Sequence, residues 1–193
     1  TASFAALQSS ASAIAQQTDG KLVVAGAASD GTTASTNSAL VRFNANGTLD
    51  TGFGTAGRTT VAFGGRNFLS SVVLEPAGAI VVAGHMERAA PPPRDAFVAR
   101  FSSAGALDQG YGIDGKTLID CGDLNALSSC TAYGLVRQGD GKLAVAGGRV
   151  ADILSRVCAA VPVARPGSAI PQQVAAQRRV DGHAQGHAGF HRT

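Results

Sequence analysis

An eight-residue string returns three times along the chain. It reads Asp19-Gly20-Lys21-Leu22-Val23-Val24-Ala25-Gly26, then Ala77-Gly78-Ala79-Ile80-Val81-Val82-Ala83-Gly84, then Asp140-Gly141-Lys142-Leu143-Ala144-Val145-Ala146-Gly147. The spacings are 58 and 63 residues. A second set of matches holds the 58-residue register: Leu40-Val41-Arg42-Phe43 with Val98-Ala99-Arg100-Phe101, Leu49-Asp50 with Leu107-Asp108, Phe53-Gly54 with Tyr111-Gly112, and Gly57-Arg58-Thr59 with Gly115-Lys116-Thr117. So many positions in one register define a repeated supersecondary unit. Such a unit cannot bury its own faces and needs a neighbour to do so.

Each unit reads as four short strands. In the second, Leu69 to Leu74 forms the first, Pro76-Ala77-Gly78 a turn, and Ile80 to Gly84 an apolar run suited to burial on both faces. Ala96 to Ser102 sets Phe97, Ala99 and Phe101 against Val98 and Arg100, the alternation of a half-buried strand. Lys116 to Ile119 is the fourth. Asp19-Gly20 and Asp140-Gly141 predict hairpins in which both residues tolerate positive φ, and Asn46-Gly47 predicts another. The small residues of Val-Ala-Gly suit an inner strand crowded near a central axis. The expected fold is all-β: a partial β-propeller of antiparallel four-stranded blades, since four strands in roughly 40–60 residues is the blade pattern. Residues 1–150 form the repeat region, with units at about 10–66, 67–125 and, truncated, 126–150.

The combined pattern resembles the delta-60 repeat family of bacterial, propeller-related repeats. The positions that carry the resemblance are Asp19, Gly20, Gly26, Arg42, Phe43, Leu49, Asp50, Phe53 and Gly54 in the first unit. In the second they are Gly78, Gly84, Arg100, Phe101, Leu107, Asp108, Tyr111 and Gly112, with Ala77 and Ala79 replacing Asp and Lys. In the third they are Asp140, Gly141 and Gly147. The resemblance covers about residues 10–150. It implies a secreted or surface-exposed region of a larger bacterial protein and implies no reaction.

Charge adds little to this. Residues 1–150 hold 11 basic and 11 acidic side chains, so the net +3 comes from residues 151–193, with 5 Arg against 2 Asp. A balanced body carries no electrostatic footprint for nucleic acid. No run of about 18 apolar residues offers a membrane span. The chain begins at Thr1 with no basic-then-apolar leader, and reads as an internal piece or a processed form. Cys121 and Cys130 flank one short loop, as expected of a disulfide in an oxidising compartment, whereas Cys158 lies beyond the repeats.

After Gly147 the pattern fails, and residues 151–193 are expected to be an irregular basic tail without stable fold. A shifted reading frame would produce such a switch, as would a genuine tail. Translating the other frames of the coding DNA separates the two: a restored Leu-Asp-x-x-Phe-Gly segment marks a shift.

Reaction chemistry is sparse. Gly52-Phe53-Gly54-Thr55-Ala56-Gly57 spells GxGxxG, yet a strand follows it where a dinucleotide site needs a helix. The same spelling recurs at Gly110, Gly112 and Gly115, so it reports turn geometry. Asn44, Asn46 and Asp50 resemble part of a calcium loop, but Ser102, Ala104 and Asp108 replace them in the twin unit. His183, His187 and His191 stand four apart, interrupted by Gly182, Gly186 and Gly189, which disfavour the helix that would align them. His85 is the only histidine of the body and reads as a structural residue at a strand end. No catalytic, cofactor or metal site is therefore assigned. The expected role is a non-catalytic extracellular or surface scaffold that binds protein or glycan through its variable loops, Ala27 to Thr36 and Glu87 to Arg94. The rival is a lactonase-like or glycan-cleaving hydrolase on the same scaffold, which would need polar groups converging at the axis. Further repeats or self-association are expected to cover the open blades.

Overall fold

The computed structural model describes residues 8–29, 36–88, 94–119, 129–149 and, for the backbone, 156–161. Eleven strands are present among them: β1 (Gln8–Gln16), β2 (Leu22–Ser29), β3 (Thr36–Phe43), β4 (Arg58–Val61), β5 (Arg66–Leu74), β6 (Ile80–Glu87), β7 (Arg94–Phe101), β8 (Lys116–Ile119), β9 (Cys130–Arg137), β10 (Leu143–Arg149) and β11 (Arg156–Val161). They form three antiparallel sheets, ordered β1-β2-β3-β4, β5-β6-β7-β8 and β9-β10-β11.

The 58-residue period is visible as hydrogen-bond register. Leu22 pairs with Phe43 as Ile80 pairs with Phe101, and Ile14 pairs with Val24 as Val72 pairs with Val82. The hairpin entering each apolar strand is built alike three times. Gln17, Glu75 and Gln138 each donate their N–H to the carbonyl of the residue four positions on, at 2.8 Å. Gly20, Gly78 and Gly141 close the turn at φ 82, 83 and 88°. The aspartates do not share that conformation. Asp19 and Asp140 instead accept the N–H of Lys21 and Lys142 on Oδ1, at 3.1 and 3.0 Å. The expectation of positive φ at both turn residues is thus corrected: glycine supplies the left-handed backbone and aspartate supplies a local acceptor.

Sheets stack face against face. β5 packs on β1, β2 and β3, and β9 packs on β5, β6 and β7. The first interface buries Val23, Ala25, Leu40 and Phe53 against Leu69, Val72, Ile80, Val82, Phe97 and Phe101. The second buries Val81, Ala83, Val98 and Tyr111 against Ala132, Leu143 and Val145. The middle sheet is therefore dry on both sides. Its third strand is not the half-buried strand that alternation suggested, because Val98 is as fully buried as Phe97. Alternation reports that a strand has two faces; a second neighbour decides whether both stay dry.

The Val-Ala-Gly strand also sits elsewhere than expected. It is second in each sheet order, not at an edge, so it cannot be the innermost strand of a radial blade. The strands that touch across successive sheets at the edge are β1, β5 and β9. Ser70 Oγ lies 2.7 Å from the carbonyl of Ala132, and Ser71 Oγ accepts the N–H of Leu135 at 3.1 Å, tying β5 to β9.

The glycine that ends each of the first two apolar strings has a backbone cause. β1 and β5 carry bulges, between Ala11 and Ala13 and between Leu69 and Ser71. A Cβ on Gly26 would lie 1.9 Å from the Ser10 carbonyl oxygen, and one on Gly84 2.0 Å from that of Phe68. The extra residue swings a carbonyl across the neighbouring strand, and only glycine leaves room.

Beyond residue 150, where no stable element was expected, the third sheet gains β11, paired to β10 from Leu143↔Val161 to Gly147↔Arg156. Residues 162–193, with the three spaced histidines, lie outside the described residues, as do residues 89–93 and the middle, 30–35, of the expected Ala27 to Thr36 loop, whose two ends belong instead to β2 and β3.

Candidate functional site

The segment from Arg42 to Thr59 forms a joint between units. Three-residue turns place Leu49 against Phe43 and bring Asp50 back under Arg42. Arg42 Nε donates to Asp50 Oδ2 at 2.8 Å, and Lys21 Nζ reaches the same oxygen at 3.1 Å. Asp50 Oδ1 accepts the N–H of Gly52 at 3.2 Å. Lys21, followed by Arg42 and the Gly52 N–H, holds this carboxyl below the usual carboxylate range against the opposing effect of burial. Both oxygens of Asp50 thus meet protein donors. Among the described residues no group of three acidic, histidine or cysteine side chains is placed to hold a metal.

The joint then grips the next unit. Arg42 also donates to the Ser103 carbonyl at 2.6 Å, Gly54 N–H to that of Ala104 at 2.8 Å, and Thr59 Oγ1 to that of Gly105 at 2.8 Å. Phe53 is fully buried beneath this turn, with the Arg42 guanidinium carbon 4.7 Å from its ring centre. Gly105, at φ 87°, presses against the ring, since a Cβ there would sit 2.7 Å from it. The GxGxxG spelling is the wall of this socket. Gly54 and Gly112 have positive φ, and Cβ atoms on them would meet the Arg58 and Lys116 carbonyl oxygens at 2.2 and 2.1 Å.

The second unit rebuilds the joint with different parts. Arg100 pairs with Asp108 at 3.3 Å, and Tyr111 takes the place of Phe53. Ala79 leaves no lysine, and Glu75 at the hairpin start supplies a 2.7 Å partner to Arg100. Sequence reading flagged Arg100, Asp108 and Tyr111 but passed over Glu75. The signal was a carboxylate where the other two units carry Gln17 and Gln138. Burial pushes the Tyr111 hydroxyl far above its ordinary value.

At the far end of the middle sheet lies a second constellation, which sequence reading did not single out. Phe68 on β5 stacks on His85 of β6, ring centres 5.2 Å apart, and the Arg66 guanidinium carbon lies 5.2 Å from the Phe68 ring. Glu87 accepts from Arg66 at 3.2 Å and pairs with Arg94 at 2.9 Å, and Arg88 pairs with Asp95. His85 is inside β6, not at a strand end as expected, because that strand runs on to Glu87. One period earlier the same places hold Gln8, Ser10, Ala27, Ser29, Thr36 and Asn37. The joint is thus repeated, while the opposite end changes from small polar residues to aromatic and charged ones.

Burial, then the Arg94 charge, keeps His85 below the ordinary imidazole value of 6.5, with Glu87 opposing. The unfolded chain accordingly takes up a proton near pH 6.5 that the folded chain resists. Stability is full above that pH and falls as pH drops below it, until folded His85 also protonates. Urea midpoints between pH 7.5 and 5 should show this slope, and His85→Gln should flatten it.

Cys130 is buried at the start of β9, and Cys121 lies outside the described residues. No helix among the described residues is long and apolar enough to cross a membrane. No curated protein matches the chain. Residues 17–53, from the first hairpin to the socket phenylalanine, match a family model described as "Domain of unknown function (DUF5122) beta-propeller". With its stacked antiparallel four-stranded sheets, the chain carries β-propeller-like repeats.

Proposed function

We propose that this chain is a binding scaffold of delta-60 type, with two complete propeller blades and a further incomplete one, working outside the cell or at its surface. Protein or glycan partners engage the loop end of the sheets. The observation that carries this reading is the Arg66–Phe68–His85–Glu87–Arg94 constellation. It occupies positions that are small and polar one period earlier, on a framework whose joints are rebuilt from unit to unit. Chemistry that changes on a scaffold that does not is the usual layout of a recognition surface. Arg66 and Arg94 remain substantially exposed, and can therefore reach a carboxylate or a sugar hydroxyl. The Cys121–Cys130 disulfide belongs to this reading, as a staple suited to an oxidising compartment.

The test is a screen of the full chain on a glycan array and an extracellular protein array. It is repeated with the Arg66→Ala/Arg94→Ala double variant and with a Gln8→Ala/Thr36→Ala control. Binding should fall at least about tenfold in the first variant, the effect of roughly 1.4 kcal/mol, and stay unchanged in the control. Equal binding by all three proteins overturns the reading. So does a hydrolase activity that disappears in His85→Ala.

A further inference from the structure

The two outer faces of the stack differ sharply from the inner ones that repeat them. On the first sheet's free face, Ile14 is 63% exposed and Leu22 and Val24 are half-buried. Their counterparts one period on, Val72, Ile80 and Val82, are 8, 0 and 0% exposed, because the first sheet covers them. On the third sheet's free face, Val136 is 57% exposed and Ala146 is exposed. Their counterparts Val73, half-buried, and Ala83, fully buried, are covered by the third sheet. Tyr133, 60% exposed, stands at the bulge position of Ser70, which reaches across to the next sheet.

The outer faces are therefore the two halves of one interface. The first sheet shows the surface that a unit turns toward its predecessor. The third shows the surface that a unit turns toward its successor. That interface is built twice within the chain, from apolar side chains on both sides. We infer that a second copy of this chain docks head to tail, its Ile14 face on the Tyr133–Val136 face of the first, continuing the internal stack. Such a contact is heterologous. It leaves one unused face at each end and so grows into a ring or an open chain of sheets. Face-to-face pairing of like ends would not reproduce the internal geometry, since each internal interface joins unlike faces.

Unlike ends give a test that like ends would fail. Light scattering on the full chain over a concentration series should show association, and Ile14→Arg and Val136→Arg should each be monomeric. Both side chains are exposed in the single chain, so circular dichroism should remain that of the parent. Mixing the two variants should restore a complex, limited to one copy of each, because one variant keeps an intact tail face and the other an intact head face. Three outcomes overturn the inference: a parent that stays monomeric, a variant that associates like the parent, or a mixture that remains monomeric while both proteins are folded.

Discussion

Phe53→Ala should produce one of the two largest losses of stability available from a single side chain, about 3–5 kcal/mol. The ring is fully buried, lies under the Arg42 guanidinium and supports the Ser103–Gly105 turn of the next unit. Removing it opens a cavity between two sheets and unseats three hydrogen bonds that depend on the turn's position, from Arg42, Gly54 and Thr59. Domains of this size are stable by only about 5–15 kcal/mol, so the urea midpoint should fall by roughly a fifth or more. Phe53→Tyr tests the cause. The second unit uses Tyr111 at this place, so a hydroxyl is compatible with the socket and the loss should be much smaller. Equal midpoints for Phe53→Ala and the parent would remove the joint from the account of stability.

Gly84→Ala is the second. The substitution adds a single methyl group, yet that carbon would lie 2.0 Å from the Phe68 carbonyl oxygen. A backbone atom cannot rotate aside as a side chain can. The bulge at Ser70 must unwind or β5 must separate from β6, and the loss should reach about 3 kcal/mol, the upper range of overpacking. Gly47→Ala is the control. Its φ of 82° is also unfavourable to a side chain, but no atom lies within 4 Å of the added carbon. Its loss should stay near 1–2 kcal/mol, the left-handed penalty alone. Guanidinium unfolding of the two variants separates collision from conformation, and similar values would show that the bulge gives way freely.

Much of this architecture was readable from residues alone, and the reason is periodicity. The strings at Asp19, Ala77 and Asp140 located the second strand of each sheet, because hairpin geometry is local and Gly at the turn is nearly obligatory. Arg42, Asp50 and Phe53 stood out by recurrence, although what they hold was hidden. Their target, the Ser103–Gly105 turn, lies 46 to 61 residues from the groups that bind it, and no local pattern specifies that distance. The place of the Val-Ala-Gly strand within its sheet was misread. Small residues in Val-Ala-Gly were read as crowding at an axis, when the crowding comes from a neighbouring bulge. Glu75 was passed over because it breaks the repeat. It gives Arg100 a second carboxylate beside Asp108 in a joint that has no lysine at Ala79, and a pairing of this kind shows only when partners are seen together. The cluster around His85 escaped notice because its members come from three strands and have no counterpart one period away.

The socket around Phe53 belongs to one unit and the turn that fills it belongs to the next. A duplicated first or second unit brings a turn of the same backbone form, Asn44–Gly47 or Ser102–Gly105, for the socket before it to seat. A small insertion between Arg42 and Thr59 does the opposite: it spoils the turn chemistry of its own sheet and the seat of its successor in one event.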